Sequence, residues 1–222
     1  MAGFASAGAT LQEMFAAPGD VAAMGFVLSL LRPSGGREAM PAPLLWVQDR
    51  KTIREMGRVF LHGLSQDPDT QVRQDIVHVA AKDGKEALWA MAEGLKCTSL
   101  GAVIGEVHGD PRALDFTATR RLAVAAERYG VPAFLLRVSG NADLSGARRR
   151  WRVESRPSLP HPHDDKAPGA PVWSLDLFRA RDMQPRVWVA SYDRAALRPQ
   201  DRLDMVSDAG DGQMAEQRRQ TG

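Results

Sequence analysis

From Ala87 to Val138 the chain alternates helical and strand-like hydrophobic patterns. On Ala87–Leu95, Leu88, Met91 and Leu95 recur at i, i+3 and i+7, the stripe of a helix facing a core. Leu100–Val107 is a short apolar run with an acid, Glu106, near its end. Thr117–Tyr129 is helical again, with Leu122, Ala126 and Tyr129 on one face, and Ala133–Leu136 is a second apolar run. Strands apolar on both faces belong in a parallel sheet covered by helices. Asp83 followed by Glu86 resembles a capping box, so a helix starts near Gly84. Thr117 is the candidate cap of the next helix, and Gly130 with Pro132 stops it. Parallel crossovers are right-handed, which narrows the topology.

The same reading extends outward. Leu11–Phe15 is a first strand, Ala16–Asp20 a turn and Val21–Leu31 an apolar helix. Leu44–Val47, ending at Gln48 and Asp49, and Ile76–Ala81 are further strands. Lys51–Met56 is a short helix, Leu61–Gly63 a loop and Gln66–Thr70 a turn. Arg32–Pro43 is a Gly- and Pro-rich loop. After a turn over Ser139–Gly146, Ala147–Val153, Val172–Phe178 and Arg186–Tyr192 read as strands that extend the sheet in antiparallel fashion. From Ala196 onward the chain is polar and Gly-containing, an expected disordered tail with helix around Arg202–Val206.

Composition then narrows the classes. With 222 residues and 44% hydrophobic content the chain suits one domain with a sizeable core. A formal net charge of +2 does not mark a nucleic-acid binder. Cys97, the one cysteine, excludes an internal disulfide framework and reads as a buried or half-buried thiol at a helix end. No apolar run reaches the roughly 20 residues of a membrane span, and Glu13 interrupts the apolar N-terminus, so a cytoplasmic protein is expected.

Strand, turn and helix over Leu11–Leu31 is the architecture of a phosphate-binding loop, but its chemistry is missing. The lysine and hydroxyl positions fall near Ala22 and Ala23, and Asp20 places negative charge where phosphates would sit. An ordinary strand–helix connection is the better reading, and no cofactor is expected. His78, among apolar residues, reads as a hydrogen-bonded core or semi-buried histidine and not as a ligand. His161-Pro-His163-Asp-Asp165 invites a metal, but lacks the spacing of a metal motif and reads as a solvated loop, so no metal is expected. Two features point to partners. Trp89 lies off its helix's core stripe, beside Ala92, Glu93 and Lys96, and is a candidate aromatic anchor, against packing on a neighbouring helix or the strand edge. Arg148, Arg149, Arg150 and Arg152 surround Trp151. Strand alternation sends Arg150 and Arg152 to solvent and packs Trp151 on the sheet. These arginines are candidates for contact with DNA phosphates or an acidic partner, against a plain solvated strand end.

Taken together, Leu11–Phe15 with its altered loop, Ala87–Leu95, Ala102–Val107, Leu114–Arg128, Val131–Arg137, Arg150–Val153 and Trp173–Arg181 resemble ImuA-type proteins. The resemblance runs from about Leu11 to Tyr192, and Leu114–Arg128 is its most specific part. It implies an α/β, RecA-like three-layer fold with a mostly parallel sheet extended by antiparallel strands and a degenerate phosphate loop. The domain would cover residues 1–195, with loops at 32–43 and 155–171, and residues 196–222 would be the tail. It implies a non-catalytic accessory protein of SOS-inducible mutagenesis, acting in translesion synthesis beside ImuB, an inactive polymerase relative, and an error-prone DNA polymerase. RecA is a further partner on this reading, and DNA is met directly or through partners, with no membrane. Glu106 lies where a magnesium-holding acid would stand in RecA, but without the lysine ATPase activity is not expected to carry over. The alternatives are a residual DNA-dependent ATPase and a cell-division inhibitor resembling SulA, which binds FtsZ.

Overall fold

The computed structural model describes residues 8–31, 42–65, 74–164, 166–193 and 203–207. Their strands are β1 (Leu11–Ala16), β2 (Leu44–Asp49), β3 (Ile76–Ala81), β4 (Ala102–His108), β5 (Ala133–Val138), β6 (Arg149–Arg156), β7 (Val172–Ala180), β8 (Arg186–Tyr192) and β9 (Leu203–Ser207). The helices are α1 (Ala22–Leu31), α2 (Arg50–Met56), α3 (Leu61–Ser65), α4 (Gly84–Gly94) and α5 (Phe116–Tyr129). The strands form one sheet in the order β3-β2-β4-β5-β1-β6-β7-β8-β9. Pairing is parallel from β3 through β6 and antiparallel from β6 to β9. This is an α/β architecture with a large, mostly parallel sheet, consistent with a RecA-like three-layer fold.

Helices cover the two faces unequally. On one face α1 packs Phe26 and Val27 against Met14, Trp46, Phe134, Trp151 and Trp173. On the other, α4 and α5 pack Leu88, Met91, Leu122 and Ala126 against Val47, Val103, Val107 and Leu135. α1 leads away from β1 toward β2, whereas α4 and α5 step back toward β1 on the opposite face, as one constant crossover hand requires. α4 approaches β4 so closely that a Cβ on Gly105 would lie 2.1 Å from the Met91 sulfur.

The helix ends are specified locally. Asp83 caps α4 by accepting from the Glu86 N–H, and Glu86 reaches back to the Lys82 N–H. α5 is capped by Asp115, which accepts from the Ala118 N–H, and not by Thr117. Gly130 ends α5 at φ 72°, the left-handed conformation that suits glycine.

Several expectations are corrected. Leu61–Ser65 is a short helix, not a loop. Leu203–Ser207 is a strand on β8, not a helix, so the sheet continues past residue 195. Leu203 and Met205 pack against the core cluster beside Trp188 and Ala190. Cys97 is exposed. The turn expected at 66–70, most of the 32–43 loop, Asp165 and residues 196–202 and 208–222 lie outside the described residues.

Candidate functional site

In an open α/β sheet, ligands sit at the carboxyl ends of the strands where neighbouring connections part in opposite directions. Here that point lies between β1 and β5. β1 departs into α1 on one face, and β5 departs toward β6 along α5 on the other, where Thr119 Oγ1 holds the Gly146 N–H at 3.0 Å. The crevice at this point is lined by Met14 and Ala16 of β1, Met24 of α1, Met56 of α2, Glu106 of β4 and Leu136 of β5. Its cavity is about 20 Å³, room for roughly one water molecule.

The mouth of the crevice is the turn between β1 and α1. Asp20 stands at the N-terminus of α1, the position an anion favours because the helix dipole and free N–H groups converge there. Its carboxylate accepts from the Ala22 N–H at 2.8 Å, the Ser155 N–H at 2.8 Å and the Ser155 hydroxyl at 2.6 Å. Burial works to raise the Asp20 pKa, but the bonds from Ser155 and Ala22 outweigh it and hold the carboxyl below the usual range. The turn is thereby tied to β6.

At the crevice floor, Glu106 is 3% exposed. Trp46 Nε1 donates to one of its oxygens at 2.6 Å and Gln48 Nε2 to the other at 3.0 Å. Burial lifts its pKa above the usual carboxylate range against these two bonds, and nearby Asp49 adds to the rise. Gln48 Oε1 in turn receives the Val59 N–H and faces His78 Nε2, both at 3.0 Å. His78 is thus the hydrogen-bonded, half-buried histidine that its setting implied, with its pKa lowered by burial and then by Arg58.

The arginine group divides. Trp151 packs into the core, as alternation required. Arg150, expected in solvent, is 2% exposed, because the face it shares with Arg152 is covered at its β1 end. Its Nε donates to Glu13 at 2.7 Å, and Arg137 Nη1 lies 3.6 Å from the other Glu13 oxygen. Phe15 sits between these two arginines, its ring centre 5.4 Å from Arg137 Cζ and 5.2 Å from Arg150 Cζ. Phe178 lies between Arg150 and Arg152, at 5.2 and 4.2 Å. Arg137 also pairs with Asp110, which accepts from the Asn141 side chain at 2.7 Å and joins the loops after β4 and β5. Sequence reading missed Glu13, Phe15 and Arg137 as a unit; the sole signal was charge inside otherwise apolar strands.

Arg148, Arg149 and Arg152 lie at the surface, each paired. Arg148 Nη2 donates to Glu127 at 2.8 Å, Arg149 Nε to Asp182 at 3.1 Å and Arg152 Nη1 to Asp176 at 3.1 Å. Trp89 is 64% exposed on α4, far from the crevice in the chain and on the opposite side of the sheet. His163 donates its N–H to His161 Nδ1 at 3.2 Å. Among the described residues no group of three or more His, Cys, Asp or Glu could hold a metal, and no helix is long and apolar enough to cross a membrane.

No family model matches the chain. Two curated relatives do, both named Protein ImuA, from Caulobacter vibrioides strains NA1000 and CB 15. Each is 31% identical over 138 residues, 56% of this chain and 53% of the relative. This similarity supports an ImuA-family assignment. The chain spans about half the length of the curated relatives it matches.

Proposed function

We propose that the chain is a non-catalytic accessory protein of DNA damage-induced mutagenesis, a RecA-like scaffold whose phosphate site is degenerate. The similarity to Protein ImuA supports a place in that system. The observation that carries the non-catalytic part is the occupied anion position. The Asp20 carboxylate takes the Ala22 N–H and stands at the start of α1 where a phosphate would need to sit, and the crevice behind it holds methionines and one water's worth of space. Glu106, the candidate magnesium ligand, gives both oxygens to Trp46 and Gln48. A nucleotide would have to displace all of these.

On this reading the partners are ImuB and the error-prone polymerase of the SOS response, with RecA as a further one, in the cytoplasm. Trp89 is the candidate anchor, because an exposed tryptophan on a well-packed helix offers large contact area at low entropic cost. Tagged protein recovered from DNA-damaged cells should bring down ImuB and the polymerase. Recovery of FtsZ in their place would favour a division inhibitor of the SulA type, and DNA-stimulated ATP hydrolysis by the purified chain would favour the ATPase.

A further inference from the structure

Arg148, one of the paired surface arginines, belongs to a larger feature that the linear sequence hides. Arg148 bridges from the start of β6 to Glu127 of α5, and Arg149 bridges to Asp182 beyond the end of β7. The Arg181 N–H donates to the Arg148 carbonyl at 3.1 Å, and the Arg181 charge acts on Glu127. Arg179 stands opposite Arg150 in the β6–β7 register, next to a bulge. Gly146, two residues before Arg148, lies so near α5 that a Cβ there would be 2.5 Å from the Arg120 Cα. Arg120, Arg148, Arg179 and Arg181 therefore meet on one seam, where α5 ends its cover of the sheet and the antiparallel half begins, while Arg149 shares the opposite face with Trp151.

Along α5 the seam continues through Arg121 and Arg128, both exposed, seven residues and about 10 Å apart on one helix face. Six arginines, Arg120, Arg121, Arg128, Arg148, Arg179 and Arg181, stand against two carboxylates, Glu127 and Asp143. The local excess of four positive charges exceeds the +2 of the whole chain, so the remainder is net negative. Arg120, Arg179 and Arg181 are exposed and make no ion pair among the described residues. Every cation counted here is an arginine, whose planar fork grips phosphate oxygens in pairs. On α5 the charges span about two turns, from Arg120 to Arg128, and Val124, 51% exposed, lies among them.

We infer that this seam binds the phosphate backbone of single-stranded DNA. The inference rests on the mutagenesis reading only for the choice of DNA as the polyanion. It moves the contact away from Arg150 and Arg152, which serve Glu13 and Asp176, to Arg120, Arg179 and Arg181. These three are the informative positions, because removing Arg148 would also strand a carboxylate.

The test is fluorescence anisotropy with a labelled oligo-dT across a salt series. The parent should bind at low salt. Arg120→Ala, Arg179→Ala and Arg181→Ala combined should weaken binding about tenfold or more and flatten the log–log salt slope by about two, since each single-strand phosphate contact contributes roughly 0.7. The triple Lys variant should keep the slope, Arg152→Ala should bind as the parent does, and melting temperatures should show all variants folded. No binding by the parent, an unchanged slope in the triple Ala variant, or displacement of the oligonucleotide by polyglutamate at equal charge concentration would overturn the inference. Recovery of ImuB by the triple Ala variant separates the two readings, since the scaffold role survives loss of this seam.

Discussion

Glu13 is the residue on which two buried cations depend. It is fully buried, and Arg150 and Arg137 both turn to it from neighbouring strands. Removing one partner of a buried ion pair leaves an uncompensated charge and costs about 3–5 kcal/mol. Glu13→Ala should lose about that much in urea unfolding, whereas Arg150→Met should lose less, because Arg137 still faces the carboxylate. Glu106 offers the opposite sign. Burial raises its folded pKa, so the protonated form is the one the fold favours, and stability is lost as pH rises through the folded value. Relative to the parent, Glu106→Gln should therefore gain in melting temperature as pH rises above the ordinary carboxylate range of about 4 to 5, and a difference that stays flat would contradict the burial argument. At this scale the sequence was half legible. Alternation placed Trp151 in the core and gave Arg150 and Arg152 a shared face. It did not show that Phe15, Glu13 and Arg137 roof that face at one end, because Glu13 and Phe15 come from β1, more than a hundred residues before Arg137 of β5 and Arg150 of β6.

Elements with their own punctuation were legible to within two residues. β3 and β8 fall where apolar runs end in polar residues, and α4 starts after Asp83 as its cap demands. α3 and β9, at five residues each, are too short to show a period, and tertiary contact decides them. The expectation of a disordered tail from Ala196 onward is revised accordingly at Leu203–Ser207. β9 covers the edge of β8 and places Leu203 and Met205 against the core. Cutting after Leu197 should lower the melting temperature by several degrees and promote association through the bared β8 edge, visible by size-exclusion chromatography, while cutting after Ser207 should do neither. α4 carries a second prediction. Trp89 is exposed while Leu88 and Met91 carry the packing, so Trp89→Ala should change stability by no more than about 0.5 kcal/mol and reduce partner capture. A large fall in melting temperature would assign it to packing instead.

For the molecule as a whole, the closed crevice at the switch point sets the response to nucleotide. With Asp20 at the start of α1 and Met14, Met24 and Met56 behind it, calorimetric titration with ATP and magnesium should show no binding in the micromolar range, and a dissociation constant of about 10 µM or below would refute the degenerate site. The class of fold was legible because buried parallel strands and amphipathic helices alternate. The strand order was not, since it depends on which edges meet after the chain doubles back. That order has a consequence for biosynthesis. β1 leaves the ribosome before the other described strands, yet it lies in the interior of the sheet, and its nearest partner in sequence, β5, begins 122 residues after Leu11, at Ala133. β2, β3 and β4 with α4 can meet one another as they emerge, but Leu11–Ala16 has to wait, its backbone unpaired, until both β5 and β6 are made. Translation speed over the stretch that encodes β5 and β6 thus sets how long a hexapeptide destined for the sheet interior stays uncovered in the cell.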